Sequence, residues 1–207
     1  MTKELPFIHF QIEGNDYYGG DQEWFDSQWA RQAGCASVLA SNLFCYYGHH
    51  LDMSLMNFRI VMDQMFDIFT PGIMGFPFYK KFAAYFSDFM KAQGHELETV
   101  MYRKTENPVD GFAFVKECID QDMPIGMLIL THRHKDIEEE TWHWMCITGY
   151  TEDEAKKEVI VSSCGEKVTM DVNALFDPHP MNVVRMLSFK DIQDQSSGTS
   201  SVTDTVS

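Results

Sequence analysis

Positive charge is scarce in this chain, and long apolar runs are absent. Sixteen Lys and Arg residues stand against 31 Asp and Glu residues, which gives a formal net charge of −15 at pH 7. An acidic surface of this kind disfavours nucleic acid and anionic membranes as partners. No apolar run approaches membrane-spanning length, and the first residues lack the apolar segment of a signal peptide. We therefore expect a cytoplasmic protein that binds neither nucleic acid nor membrane.

Motifs for cofactors and metals are missing as well. There is no Gly-rich phosphate loop and no Cys-x-x-Cys pair, and the five cysteines are widely spread, as expected in a reducing compartment. His132 and His134, together with His143, have a spacing that zinc would accept. The charged run at 135–140 that follows the first two is more typical of a solvated loop. We expect neither a cofactor nor a metal.

The hydrophobic pattern changes its period along the chain. Apolar residues recur every three or four positions at 35–47, 51–69, 77–93 and 109–121, which predicts four helices. Alternating or continuous apolar runs predict strands at 6–11, 97–102, 124–130, 143–150, 158–163, 167–170 and 182–189, with a short helical turn at 171–176. Residues 14–26 are polar and predict a loop. The pattern indicates an α+β fold, with helices mainly in the first half and an antiparallel sheet in the second.

Composition predicts one large domain followed by a tail. Hydrophobic residues make up 44% of the chain and aromatic residues 14%, which is enough to form a substantial core. From Asp191 onward the chain consists mostly of Ser, Thr, Asp and Gln and has almost no large apolar residue. We therefore expect a single domain over residues 1–190 and a disordered tail over 191–207.

Cys35 carries the clearest chemical signal in the sequence. It follows Gly34 at the start of a predicted helix, where unpaired N–H groups and the positive end of the helix dipole favour a thiolate. His143 opens a distant predicted strand, and an imidazole can accept the thiol proton and later give it to a leaving group. The alternative is a small buried cysteine, because the sequence does not reveal whether two distant residues meet.

Four segments of the chain, taken together, carry a family resemblance. They are Gly-Gly-Asp-Gln-Glu-Trp-Phe at 19–25, Ala-Gly-Cys-Ala-Ser-Val-Leu-Ala-Ser-Asn-Leu at 33–43, His-Trp-Met-Cys-Ile-Thr-Gly-Tyr at 143–150 and Val-Ser-Ser-Cys-Gly-Glu-Lys at 161–167. Over about residues 15–171 the chain resembles papain-like cysteine peptidases. It looks like the bacterial branch related to bacteriocin-leader (double-glycine) peptidases, and it is also similar to the cysteine-peptidase-fold acyltransferase domain of butirosin biosynthesis. Cys-Ala-Ser stands where that branch more often has Cys-Gly-Pro.

The resemblance implies a papain-like fold and a role for particular residues. Cys35 would be the nucleophile and His143 the general base. Gln22 would donate a hydrogen bond to the oxyanion, and Gln28 and Gln32 are the alternatives for this role. A donor aimed at the developing oxyanion contributes a few kcal/mol to transition-state stabilisation.

The third catalytic position departs from the family pattern. The family normally has Asn or Asp there to orient the imidazole, and the aligned position in this chain is Ser162. A hydroxyl can accept a hydrogen bond from the ring but carries no charge and reaches less far. This departure bears on catalytic power and not on the fold.

Three functions are compatible with these residues. The favoured one is a cysteine peptidase, a thiol hydrolase that cleaves a peptide or isopeptide bond of a peptide or protein substrate through an acyl-enzyme on Cys35. The second is an acyltransferase of the same fold, in which an amine instead of water attacks the thioester and takes the acyl group. The third is a non-catalytic papain-like module that binds a peptide.

Overall fold

The computed structural model describes residues 1–103 and 108–192, with only the backbone described for Pro108. The protein is α+β, as predicted, and is built around one antiparallel sheet. Within the described residues, no helix combines the length and the apolar character needed to cross a membrane.

Seven strands form the central sheet. Its main path runs through β4 (Leu97–Met101), β9 (Val183–Asp191), β5 (Ile125–Thr131), β6 (His143–Glu152), β7 (Lys157–Ser163) and β8 (Glu166–Asp171). The seventh strand, β1 (Thr2–Glu4), pairs with the second half of β6, beyond the residues that pair with β5. A separate hairpin contains β2 (His9–Ile12) and β3 (Asn15–Tyr18).

Helices cover both faces of the sheet. They are α1 (Gln28–Ala33), α2 (Cys35–Tyr47), α3 (Leu55–Ile68), α4 (Tyr79–Ala92), α5 (Pro108–Asp120) and α6 (Val172–Leu175). Helices α2, α3 and α4 share one apolar cluster with Trp144 and Cys146 of β6. Helices α5 and α6 share a second cluster with Met145 and Ile147, because side chains of a strand alternate between its two faces. Strand β6 thus lies between two cores.

Helix α2 is the central element of the first core. Eleven of its thirteen residues are buried, and only Cys35 and Tyr46 keep partial contact with solvent. Because almost all of α2 is buried, its first residue, Cys35, is held against the sheet.

The next helix, α3, begins later than its apolar pattern predicts, at Leu55. The side chain of Ser54 accepts a hydrogen bond from the N–H of Asn57 and caps the helix there.

Two short elements lie where the sequence predicted a loop or gave no signal. Strand β3 falls inside the predicted loop 14–26, and its pairing with β2 follows a turn with positive φ at Glu13 and Gly14. Helix α1 was not predicted, because six residues are too few to show a helical period; the side chain of Ser27 caps it.

The C-terminal boundary lies slightly later than predicted. Asp191 still pairs with Leu97, and the N–H of Ile192 donates to the carbonyl of Glu96 at 3.0 Å. Asp191 and Ile192 therefore belong to the sheet region, and the other residues of the predicted tail, 193–207, lie outside the described residues.

The junction between β1 and β6 offers a test of this packing. A Cβ atom added at Gly149 would lie 2.5 Å from the carbonyl oxygen of Lys3 and 2.9 Å from Cα of Glu4, so backbone would have to move. We expect Gly149→Ala to reduce the free energy of unfolding by about 1–3 kcal/mol in urea titrations. Gly72→Ala is the matched control, because its nearest neighbour would be 3.9 Å away, and it should cost no stability. Equal stability of the two variants would contradict this packing.

Candidate active site

Cys35 and His143 line the same small cavity. Helix α2 contributes Cys35 and Asn42, strand β6 contributes His143, and the cavity volume of about 10 Å³ is close to that of one water. Gln22 and Ser162 line it as well. The structure therefore brings together the four residues that the sequence singled out, although it gives one of them a different role.

Gly34 places Cys35 at the start of α2. A side chain at Gly34 would lie 2.5 Å from the carbonyl oxygen of Ala30 and 2.5 Å from the ring of Phe25, so only glycine permits this tight passage from α1 into α2. The first N–H groups of a helix have no partner within it. The backbone N–H groups of Trp144, Ala36 and Cys35 itself act on the thiol and favour its ionised form.

Burial nevertheless decides the charge of Cys35. It raises the pKa of the thiol above its ordinary value, and the three backbone N–H groups only partly oppose it. The expectation of a lowered pKa at the helix start is therefore wrong for this residue, because the close packing of α2 on β6 leaves Cys35 only partial contact with water. Cys35 rests as a neutral thiol at pH 7.

His143 is neutral for the same reason. Burial lowers the pKa of its imidazole to about 4, and no charged group contributes to that shift. Its Nε2 atom lies 3.2 Å from Oγ of Ser163 and 3.6 Å from Sγ of Cys164. These two residues occupy the Nε2 side of the ring.

Ser162 does not orient the imidazole. Its buried hydroxyl donates to the carbonyl of Tyr18 at 2.7 Å, whereas the hydroxyl at the ring belongs to Ser163. Adjacent side chains of a strand point to opposite faces, so only one of two consecutive serines at the end of β7 can meet His143. The sequence analysis assigned the orienting role to Ser162 from its spacing, whereas the residue next to the His143 ring is its neighbour Ser163.

Ser162 instead helps to hold the segment that carries Gln22. The N–H of Gly20 donates to Oδ1 of Asn42 at 2.9 Å, and the N–H of Tyr18 donates to the carbonyl of Gly165 at 2.7 Å. Together with the bond from Ser162, these contacts fasten residues 18–20 to α2 and to the turn between β7 and β8. Asn42 was not singled out in the sequence, because a polar residue inside a helical pattern has no distinctive local signal.

Gln22 is the best placed of the three candidate glutamines. It lines the cavity with Cys35 and His143, and within the described part of the chain its buried Oε1 atom has no hydrogen-bond partner. A half-turn of the amide would bring its N–H donors to the same position. Gln28 and Gln32 are exposed on α1 and do not line the cavity.

Two carboxylates approach the site on the side of Cys164. Burial, followed by the charges of Asp21 and Glu140, raises the pKa of the Cys164 thiol to about 11. Burial also raises the pKa values of Asp21 and Glu140, which are partly exposed. The thiol of Cys164 therefore lies near two carboxylates.

The described residues contain no cluster of three His, Cys, Asp or Glu side chains that could hold a metal ion. The ring of His132 is buried, and its Nε2 atom lies 3.1 Å from the carbonyl oxygen of Leu175. His134 accepts a hydrogen bond from the N–H of Asp136. These contacts tie both histidines to neighbouring backbone.

A scan against models of protein families and a search among curated proteins found no match for this chain. The functional assignment therefore depends on the geometry of the cavity and its residues.

The raised pKa of Cys35 predicts a particular pH profile for alkylation. Only the thiolate reacts with iodoacetamide, so the labelling rate of Cys35 should rise through pH 9 with no plateau between pH 6 and pH 8. Peptide mass spectrometry would follow the reaction in a Cys164→Ser background, which removes the exposed thiol, and Cys35→Ala would identify the signal. A plateau below pH 8 would contradict a resting neutral thiol.

The missing charge at Ser163 predicts the effect of restoring one. A carboxylate beside Nε2 stabilises the imidazolium, so Ser163→Asp should raise the pKa of His143 by about one unit or more. Ser163→Asn has nearly the same shape without the charge and should leave that pKa near its present value. NMR titration of the His143 ring would measure both variants. An unchanged pKa in Ser163→Asp would show that residue 163 does not face the ring.

Proposed function

We propose that the chain is a papain-like cysteine hydrolase in which Cys35 forms an acyl-enzyme and His143 moves the proton. The observation that carries this proposal is the meeting of Cys35 and His143 in one cavity, from the start of α2 and the start of β6. The order of the elements supports the papain-like fold, since a buried helix that begins with the cysteine packs on an antiparallel sheet that carries the histidine. The favoured reaction is cleavage of a peptide or isopeptide bond.

In this mechanism the thiolate forms only as the substrate is attacked. Both partners rest neutral, so His143 takes the proton of Cys35 while Sγ bonds to the carbonyl carbon. His143 then gives that proton to the leaving nitrogen as the carbon–nitrogen bond breaks. Water then attacks the resulting thioester and gives a proton to His143. The carbon–sulfur bond breaks, the carboxylic acid leaves, and His143 returns the proton to Sγ of Cys35.

The oxyanion would be stabilised by groups that already surround the sulfur. The N–H of Cys35 lies at the helix start, and the buried Oε1 atom of Gln22 has no hydrogen-bond partner among the described residues, so the amide can turn its N–H donors toward an oxyanion. Such donors act most strongly when they are fixed before the charge develops. The hydrogen bonds of Gly20, Tyr18 and Ser162 hold the segment before Gln22 in place.

The uncharged third position predicts a slow enzyme. The low pKa of His143 has burial as its cause, and Ser163 offers only a neutral hydroxyl. An imidazolium formed during the reaction would therefore gain little from its neighbours. Within the papain-like class, this arrangement is better suited to an activated substrate, or to transfer to one selected acceptor, than to general protein digestion.

An acyltransferase that uses an amine acceptor is the second candidate. Asp21 and Glu140 lie close enough to Cys164 for their charges to raise its pKa, so the part of the site at Cys164 has an acidic rim. A cationic amine is attracted to such a rim. The same thioester on Cys35 would then pass its acyl group to the amine instead of to water.

Acylation by an activated thioester tests the proposal. Intact-protein mass spectrometry after acid quench should show one acyl adduct on wild type and on Cys164→Ser, and none on Cys35→Ala. His143→Gln should form the adduct far more slowly, because the proton of the thiol has no acceptor. Gln22→Ala should lower turnover by about 100-fold, and Gln28→Ala, an exposed control, should leave it unchanged.

Acylation at equal rates in wild type and His143→Gln would contradict the proposed catalytic pair. An absence of any adduct on Cys35 would favour the third possibility, a papain-like module that binds peptides without cleaving them.

A further inference from the structure

A second, larger opening is also lined by Cys35. It is a groove of about 380 Å³, lined by Trp29, Trp142, Trp144, Leu128, Ile73 and Met74 among others. We call it the tryptophan groove. Within the described residues, none of the side chains that line it is charged, and Cys35 and Trp144 also line the small cavity. The groove is therefore continuous with the candidate site and apolar in character.

Two exposed tryptophans form walls of this groove. Trp29 is 44% exposed on α1, the helix that leads into Cys35, and Trp142 is 46% exposed immediately before His143. The helix that precedes Cys35 and the residue that precedes His143 thus each present an indole to the groove. Large apolar side chains left in solvent next to a reactive group indicate a binding surface.

The backbone of Trp142 is in a costly conformation. Its φ of 64° lies in the left-handed region, which is rare for a bulky residue. The N–H of Trp142 donates to the carbonyl of Ile129 at 2.7 Å, which holds the residue in place. Strain that a structure maintains at such a position is typical of functional sites, and here it directs the chain as it enters His143.

The opposite side of the groove is also fixed. Gly72 and Gly75 exchange backbone hydrogen bonds of 3.0 and 2.9 Å, which forms a tight turn with Ile73 and Met74 at its tip. Ile73 is 97% exposed. The indole N–H of Trp144 donates to the carbonyl of Phe76 at 2.7 Å and ties this turn to β6. Hydrogen bonds at Trp142, at Trp144 and in the turn from Gly72 to Gly75 therefore hold the lining of the groove in place.

The position of His143 identifies which part of a substrate enters the groove. The leaving group must lie within reach of the imidazole that protonates it. His143 lines the small cavity but does not line the tryptophan groove, whereas Cys35 lines both. The part of the substrate that stays bound to sulfur, the acyl part, is therefore the one that extends along the groove.

We propose that the tryptophan groove binds the acyl part of the substrate and that this part is a large, uncharged, apolar group. The inference deepens the proposed function and depends on it for the assignment to the acyl side. A charged acyl group would lose its hydration in the groove with no partner to compensate. A small acyl group would leave both indoles in water.

Binding to Cys35→Ala tests the proposal without any chemistry. The probes are N-octanoylglycinamide, N-acetylglycinamide and N-(8-aminooctanoyl)glycinamide, measured by calorimetry and by tryptophan fluorescence. The octanoyl probe should bind more than about tenfold tighter than the other two, because each buried methylene contributes about 0.8 kcal/mol. Trp29→Ala and Trp142→Gly, each combined with Cys35→Ala, should weaken octanoyl binding at least fivefold.

The variants are chosen so that folding does not obscure the result. Glycine tolerates the positive φ at position 142, so Trp142→Gly removes the indole without adding strain. Ile60→Ala is the control, since Ile60 is 52% exposed and does not line the groove. It should not change binding.

The outcomes separate this inference from the proposed function. Equal binding of the acetyl and octanoyl probes, or octanoyl binding that neither tryptophan variant weakens, would overturn the inference. Faster acylation of wild-type Cys35 by octanoyl than by acetyl thioester supports the assignment to the acyl side, and equal rates would refute it. Octanoyl binding without any acylation of Cys35 would refute the proposed function and, with it, the assignment of the groove to an acyl group.

Discussion

Packing of α2 against β6 is the contact on which the candidate site depends. It brings Cys35, the first residue of a buried helix, to His143, the first residue of a strand that lies between two cores. The same packing limits the contact of both side chains with water, which raises the pKa of Cys35 and lowers the pKa of His143. Proximity and low polarity therefore arise from one cause. Under the proposed function, the pair therefore acts by proton transfer during attack and not as a stored ion pair.

Long, regular parts of the fold were predictable from the sequence, and short or side-specific parts were not. The apolar periods indicated helices α2 to α5 and most of the strands, because burial of a long face imposes a period. Helix α1 and strand β3 are too short to impose one. The pair Ser162–Ser163 shows a further limit, since spacing along the chain does not reveal which face of a strand a residue occupies.

The candidate site, too, was predictable from the sequence only in part. Cys35 and His143 were recognisable because each stands at the start of a regular element in a distinctive context. The charge state of Cys35 was not, because the helix start and burial act in opposite directions and only the packed structure shows which is larger. Asn42 and the tryptophan groove depend on contacts between distant segments, and no local pattern marks them.

The bonds between the N-terminal segment and the last strands have a consequence for the order of folding. Strand β1 pairs with β6, and the carbonyl of Tyr18 and its N–H are bound by Ser162 and Gly165, residues more than 140 positions away. Contacts between such distant residues form late, since a long loop must close first. A chain that is still being synthesised therefore has Cys35 and the segment of Gln22 before it has His143 or the residues that hold that segment in place. The candidate site is completed only when nearly the whole domain has left the ribosome.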